Sequence, residues 1–444
     1  MKRYLGDLFL ATRFYKAGAA CIILYIASFY FHFLGIFAVI VLSVWLCSII
    51  LDYFFLFIIS RSPSTRRELP ERFSNGDDNK VAIFIKNESP FEIIVDVIDE
   101  LPHQFQIRDW KKSISLKVNE QTRMSYSLKP VERGEYHFGN IILYVSSMLG
   151  LISRRFVVPS EVMIPVYPSF MQLRKYELLS RAAIQSETGS KRMRKIGHSM
   201  EFEQVKEYVQ GDDSRTLNWK ASARKGGLMV NTYTDEKSQQ VYCIMDKGRL
   251  MKMPFAELTL LDHSINAALI LSSVCLQKQD RVGIVTFSDK IGSVLPAERK
   301  PIQQERILQL LYNQQTNFLE SDFEMLYMQV RNRIKNRSLL ILFTNFESLS
   351  GLNRQIPYLR LLASHHLLLV IFFENTELRH LTKNDANSID EIYIKTIAEK
   401  FAFEKRLIVK ELMRYGILSI LTTPQSLTID TINKYLELKT RQAL

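Results

Sequence analysis

From Ala17 to Ile59 the chain carries no lysine or arginine, and its strongly polar breaks are His32 and Asp52. A run of about 43 residues holds two helical spans of roughly 20 residues, each long enough to cross ~30 Å of hydrocarbon. A cleaved leader is shorter and ends at a small-residue site. The run therefore reads as a two-helix transmembrane hairpin, with spans near residues 17–34 and 36–59. The reversal is expected around Tyr30-Phe31-His32-Phe33-Leu34-Gly35, where aromatic side chains suit the far interface.

Orientation follows from the flanking charge. Lys2, Arg3, Arg13 and Lys16 precede the run, and Arg61, Arg66 and Arg67 follow it. Positive charge at both ends places both termini in the cytoplasm, with everything after about Ser60 inside the cell. Asp52, near the inner end, reads as an interfacial carboxylate reaching for water rather than as a working intramembrane charge.

The net charge is +12. Part of the excess is local: Arg174, Lys175, Arg181, Lys191, Arg192, Arg194 and Lys195 face only Glu177 and Glu187. On a membrane protein such a segment faces anionic lipid headgroups more readily than nucleic acid. No zinc finger, RNA-binding aromatic signature or heptad-linked basic region supports nucleic acid. Cys21, Cys47, Cys243 and Cys275 form no CxxC pair, which argues against a disulfide framework or a zinc site and for small buried residues.

Residues 61–79 are polar and read as a linker. Over 80–165 the apolar period changes to two, with Phe91, Ile93, Val95 and Val97 on one face and Ile141, Leu143 and Val145 on another. Short alternating segments between turns predict an antiparallel β-sandwich-like domain. Residues 166–238 form a basic connector. From 239 to 444 the pattern is α/β. Strands are expected at Val241–Met245 (ending at Asp246), Val282–Phe287, Ser338–Thr344, Leu367–Phe373 and Gly416–Leu421. Helices fill the gaps, one long stretch covering about 302–336. Continuous apolar strands between helices predict a doubly wound, mainly parallel sheet covered on both faces.

The connector holds the most specific pattern in the chain. Glu207, Tyr208, Gly211, Asp212, Asp213, Arg215, Trp219, Lys220, Ala223 and Arg224 lie in one stretch of 207–224. Together they resemble the signature of the domain-of-unknown-function 58 family, with Lys206 where the family often has Arg and Asn218 where it often has Asp. Arg133-Gly134 before Tyr136, and Val166-Tyr167-Pro168 before the signature, add to the resemblance. It implies a bacterial inner-membrane protein whose C-terminal domain is von Willebrand factor A-like, working with a MoxR-type AAA ATPase and other membrane proteins in a cell-envelope or chaperone-like process.

Such domains often hold Mg²⁺ at the strand carboxyl ends through D-x-S-x-S plus a Thr and an Asp from later loops. Here the first motif reads Asp246-Lys247-Gly248-Arg249-Leu250, without either serine, and Thr344-Asn345 replaces the Thr-Asp pair. Ser321 and Asp322 mark a loose middle loop. Fewer hard oxygen ligands weaken any Mg²⁺ site, so Asp246 reads as the remnant of a degenerate one. Arg249 or Lys247, beside the same pocket, would then meet a partner's carboxylate directly.

Within the signature, Gly211-Asp212-Asp213 is turn chemistry. Arg215 and Arg224 are expected to pair with those acids, and Trp219 to pack on the α/β domain. The competing reading is an enzyme using Asp212 and Asp213 as an acid/base pair; a single pocket joining them to Asp246 would favour it. A third reading is a lipid or nucleic-acid binder acting through Arg174–Lys195. The chain has no phosphate loop, nucleophile elbow or zincin motif. His365-His366 reads as a helix end or turn. The leading expectation is a membrane-anchored interaction protein without a catalytic site.

Overall fold

The computed structural model describes residues 6–31, 33–169, 200–209, 212, 214–235, 238–255, 257–316, 318–376 and 388–441. The basic segment Arg174–Lys195, His32, Gly211, Asp213 and the side chain of Arg215 lie outside the described residues. The chain divides into two compact units, Met1–Tyr167 and Pro168–Leu444.

The first unit opens with strand β1 (Leu8–Leu10), then helices α1 (Thr12–Tyr30) and α2 (Leu34–Phe54), the latter continued by a π-helical turn over Phe55–Ile59. The break between the helices falls at residues 31–33, inside the expected reversal. The pair packs closely: a Cβ on Gly18 would lie 3.2 Å from the Trp45 ring. No residue of α1 is buried, and apolar side chains such as Ile22, Phe29, Ile36 and Ile50 are exposed. Leu34–Ile59 is long and apolar enough to cross a membrane, with mean hydropathy 2.8. Leu260–Gln277 passes the same test of length and composition, but it is mostly buried inside the second unit.

The remainder of this unit is sheet. The strands are β2 (Ser64–Glu68), β3 (Phe73–Ser74), β4 (Asn79–Lys86), β5 (Ile93–Asp99), β6 (Lys111–Leu116), β7 (Gln121–Leu128), β8 (Gly134–Phe138), β9 (Ile141–Ser146), β10 (Ile152–Val158) and β11 (Val162–Tyr167). They form sheets ordered β1-β10-β9-β5-β6, β2-β4-β7 and β3-β11-β8. Strict alternation in β5 and β9 sends Ile93, Val95, Val97, Ile141, Leu143 and Val145 into one core.

Two expectations fail here. Residues 61–79 are not a linker, because β2 pairs along β4 and β3 pairs with β11. Nor does Asp52 reach for water. It is fully buried and accepts hydrogen bonds from the Ser147 hydroxyl and from the Leu151 (3.0 Å) and Ile152 (2.9 Å) N–H groups. Leu56 and Phe57 beyond it join the sheet core, and Arg154 donates to the Leu56 carbonyl. With β1 paired to β10 before α1, both ends of the helix pair are built into the sheet region.

In the second unit a hairpin of β12 (Met200–Glu207) and β13 (Met229–Asp235) encloses the short helix α3 (Trp219–Lys225). Strand β14 (Gln240–Asp246) follows, then a two-residue pair, β15 (Pro254–Phe255) and β16 (Leu258–Thr259). Next come α4 (Leu260–Gln277), β17 (Arg281–Phe287), β18 (Ile291–Glu298), α5 (Gln303–Tyr312), α6 (Phe323–Arg333) and β19 (Leu339–Phe343). Helix α7 (Leu349–His365), β20 (Leu367–Phe373), α8 (Ile389–Arg414), β21 (Leu418–Thr422) and α9 (Leu427–Thr440) complete it.

The central sheet runs β18-β17-β14-β19-β20-β21, all parallel except the antiparallel edge β18. One face, with Tyr242, Ile244, Leu340, Leu342 and Val370, packs on α6, α7 and α8. Helix α4 packs on β14 and β17, beside α5 and α9. Capping boxes start α4 at Thr259 with Asp262 and α8 at Ser388 with Glu391. The single helical stretch expected over 302–336 is two helices, and residues 313–322 between them carry part of the site. His365 ends α7, as expected.

Candidate functional site

Parallel β14 and β19 end side by side, so Asp246 and Thr344 meet at the carboxyl edge of the sheet. The Thr344 hydroxyl donates to Asp246 Oδ2 at 2.6 Å, and the Gly248 N–H donates to Oδ1 at 2.8 Å. The Ser321 hydroxyl, from the loop before α6, donates to the same Oδ1. Ser321 can reach because residue 248 is glycine: a Cβ there would stand 2.1 Å from the Ser321 oxygen. The loop thus supplies a hydroxyl where the local motif has none. Asp322 turns away to cap α6, accepting from the Met325 N–H. Burial holds the Asp246 carboxyl above the ordinary carboxylate range, against the pull of the three donors.

These donors fit a divalent cation poorly. One buried carboxylate, already bonded at both oxygens, is short of the charge and oxygen count Mg²⁺ takes. The Asn345 position is also neutral, and its Oδ1 accepts from the ammonium of Lys405 on α8 at 2.7 Å. Burial pushes the Lys405 pKa down to about 8, opposed by Glu347. A built-in cation beside Asn345 repels a second one.

Above Asp246 lies a cavity of about 190 Å³, whose rim includes Arg249, Glu320, Glu347, Arg354 and Gln355. Arg249 Nη2 lies 2.9 Å from Glu320 Oε1, and Arg354 Nη1 lies 3.8 Å from Oε2. Two guanidinium groups thus flank one exposed carboxylate. The Arg249 N–H donates to the Leu319 carbonyl at 3.0 Å, which places Phe318 and Leu319, both exposed, beside the arginine. Lys247 is not on this rim: its ammonium lies near Gly292, and burial holds its pKa low. The strand pattern points to Asp246 and the family resemblance to Ser321, whereas Glu320, Arg354 and Lys405 carry no local motif. Other cavities lie on β2 and β4 (about 370 Å³) and on α8 around Phe403 (about 610 Å³).

The signature stretch folds separately from this cavity. Asn218 caps α3, accepting from the Ala221 N–H (3.0 Å) while its amide donates to Asn231 (2.8 Å). An aspartate could not make that second bond as a donor. Gly226 ends the helix at φ 73°, the left-handed conformation glycine favours. Asp212 accepts from the Val209 N–H (3.1 Å) and from Lys206 (3.0 Å); these bonds, the backbone one foremost, lower its pKa. Lys225 pairs with Glu207 at 3.0 Å, and the Tyr208 N–H donates to the Leu228 carbonyl. Among the described residues Asp212 pairs with Lys206 and not with Arg224, while Asp213 lies outside them. Trp219 is 70% exposed rather than packed on the α/β sheet. Lys220 is exposed as well. Asp212 does not line the Asp246 cavity.

Comparison with known proteins gives a relative of unknown role. The chain is 29% identical over 178 residues to the uncharacterized protein YeaD of Bacillus subtilis (strain 168), covering 39% of this chain and 44% of that one. It therefore matches less than half the length of that relative. Among solved structures, the conserved hypothetical protein BatB from Bacteroides thetaiotaomicron aligns over 32% of this chain and 69% of its own, at 11% identity and TM-score 0.27. A PapD-like domain of human CEP192 aligns over 24% of this chain and 86% of its own, at 10% identity and TM-score 0.19. Residues 204–383, which include Asp246 and all but the start of the β12–β13 hairpin, match the model of a family described as a protein of unknown function, DUF58.

Proposed function

We propose that this chain is a membrane-anchored interaction protein whose von Willebrand factor A-like unit docks a protein partner at the carboxyl ends of β14 and β19. In this reading α1 and α2 form a transmembrane hairpin in a bacterial inner membrane, with both termini cytoplasmic. The partner implied by the family resemblance is a MoxR-type AAA ATPase, in a cell-envelope or chaperone-like process.

The observation that carries the docking site is the flanking of Glu320 by Arg249 and Arg354 beside exposed Phe318 and Leu319. Arginine and phenylalanine are the side chains that protein interfaces favour. Exposed ion pairs contribute only ~0.2–1 kcal/mol, so a partner's carboxylate can displace Glu320 and take both guanidinium groups. No metal is required, since Asp246 already accepts from the Thr344 and Ser321 hydroxyls and the Gly248 N–H. Asp212 is bonded within its own turn and lies outside the cavity, which speaks against an acid/base pair with Asp246.

The test is recovery of partners from solubilised membranes. Wild-type protein should retain a MoxR-type ATPase that Arg249→Glu with Arg354→Glu loses. Retention unchanged by those substitutions would refute docking at this face.

A further inference from the structure

The exposed end of the signature hairpin is a second surface, with different chemistry from the arginine-flanked cavity. Trp219 is 70% exposed, and Val209 and Leu228 are exposed beside the same turn. Backbone bonds hold them together: the Asn218 N–H donates to the Met229 carbonyl (2.8 Å) and the Tyr208 N–H to the Leu228 carbonyl (2.9 Å). Lys220 and Arg224 are exposed on the same short helix, α3, and form no ion pair among the described residues, whereas Lys206 and Lys225 are matched by Asp212 and Glu207. An indole, two aliphatic side chains and two unmatched cations therefore share one end of the hairpin.

We infer that this hairpin end seats on an anionic lipid surface, with Trp219 at the headgroup level and Lys220 and Arg224 on phosphate groups. Tryptophan prefers the membrane–water interface, where its ring is half in oil and its N–H is in water. Basic residues near an anionic leaflet add attraction that salt screens. An indole flanked by aliphatic side chains and two cations has the mixed apolar and basic chemistry that a headgroup layer takes. A fluid surface needs no complementary groove. The net charge of +12 has the right sign. The inference rests on the reading that α1 and α2 span a bilayer, since the same chain would then be tethered to headgroups.

Trp45 in α2, Trp110 and Trp219 are the three tryptophans of the chain, so each reading has its own reporter. Full-length protein with Trp45→Phe and Trp110→Phe leaves Trp219 alone; Trp110→Phe with Trp219→Phe leaves Trp45. Both go into nanodiscs of brominated phosphatidylcholine, with and without brominated phosphatidylglycerol. Trp45 should be quenched in both lipids, and Trp219 only with the anionic lipid. Adding Lys220→Ala and Arg224→Ala should lower the docked-to-free ratio of Trp219 roughly thirtyfold, at about fivefold per cation. High salt should do the same. Quenched Trp45 with unquenched Trp219 would overturn the inference and leave the hairpin reading intact. Unquenched Trp219 that is shielded from aqueous iodide would instead assign the patch to a protein contact. Unquenched Trp45 would overturn both.

Discussion

Asp99 in the sheet-rich unit and Asp246 in the α/β unit are both buried carboxylates, yet their surroundings differ in kind. Asp99 receives the two-pronged guanidinium of Arg67 and the hydroxyl of Tyr126, and Arg67 is further fixed by the Ser160 (2.7 Å) and Gly139 (3.0 Å) carbonyls. Burial and the Asp99 charge both drive the Tyr126 hydroxyl far above its usual range. This is a closed site in which every charge has a partner. Asp246 receives only neutral donors, and the cations near it point elsewhere: Arg249 and Arg354 to Glu320, Lys405 to Asn345. Complete pairing marks Asp99 as structure. At Asp246 the nearby arginines are held only by one exposed carboxylate, and the docking proposal rests on that weaker pairing.

Breaking the closed site should have the largest effect. Arg67→Ala leaves Asp99 buried and unpaired, a loss on the order of 3–5 kcal/mol. It should appear as a fall in the denaturation midpoint of the sheet-rich unit, and Arg67→Met with Asp99→Leu should recover much of it. Asp52→Ala comes next. It strips acceptors from the Leu151 and Ile152 N–H groups, at roughly 1–3 kcal/mol each. Amide exchange at those two residues should speed up while the α/β unit is unaffected.

Smaller still is Asp246→Asn, whose carbonyl can keep the Gly248 and Ser321 bonds while its amide donates to the Thr344 hydroxyl, and which should change stability at neutral pH by about 1 kcal/mol. Its signature is in pH. The folded carboxyl binds its proton more tightly than the unfolded one, so wild-type stability is fullest at acid pH and falls as pH rises above the unfolded carboxylate range toward the folded pKa. The asparagine variant should lack that slope in unfolding titrations. If it were instead several kcal/mol less stable at every pH, Asp246 would be structural in the manner of Asp99. Lys405→Met is read by its pH profile rather than by a loss at neutral pH. With a folded pKa of about 8 and an unfolded value near 10.5, wild-type stability should rise across that alkaline window as the buried ammonium loses its proton, and the methionine variant should be flat there.

What could be read in the sequence followed from period and run length. The helix pair, the alternating strands β5 and β9, and the apolar strands β14, β17, β19 and β20 all announce themselves by where apolar residues recur. Polar strands do not: β2 is Ser-Thr-Arg-Arg-Glu, whose strand character comes from pairing with β4 and from Arg67 turning inward to Asp99. Edge strand β18 hides behind Gly292 and Pro296. Helices α5 and α6 merge in sequence because both are amphipathic, so the loop that delivers Ser321 was obscured. Glu320, Arg354 and Lys405 converge on the site from three distant segments, a meeting that only the folded chain creates.

The docking account is tested most directly by a photoreactive phenylalanine analogue placed at exposed position 318, beside Arg249, in living cells. The account predicts one discrete adduct, with a MoxR-type ATPase, which Arg249→Glu with Arg354→Glu abolishes and a divalent-cation chelator leaves unchanged. An adduct that survives the arginine substitutions but vanishes with the chelator would contradict it, as would tight Mg²⁺ binding lost in Asp246→Asn.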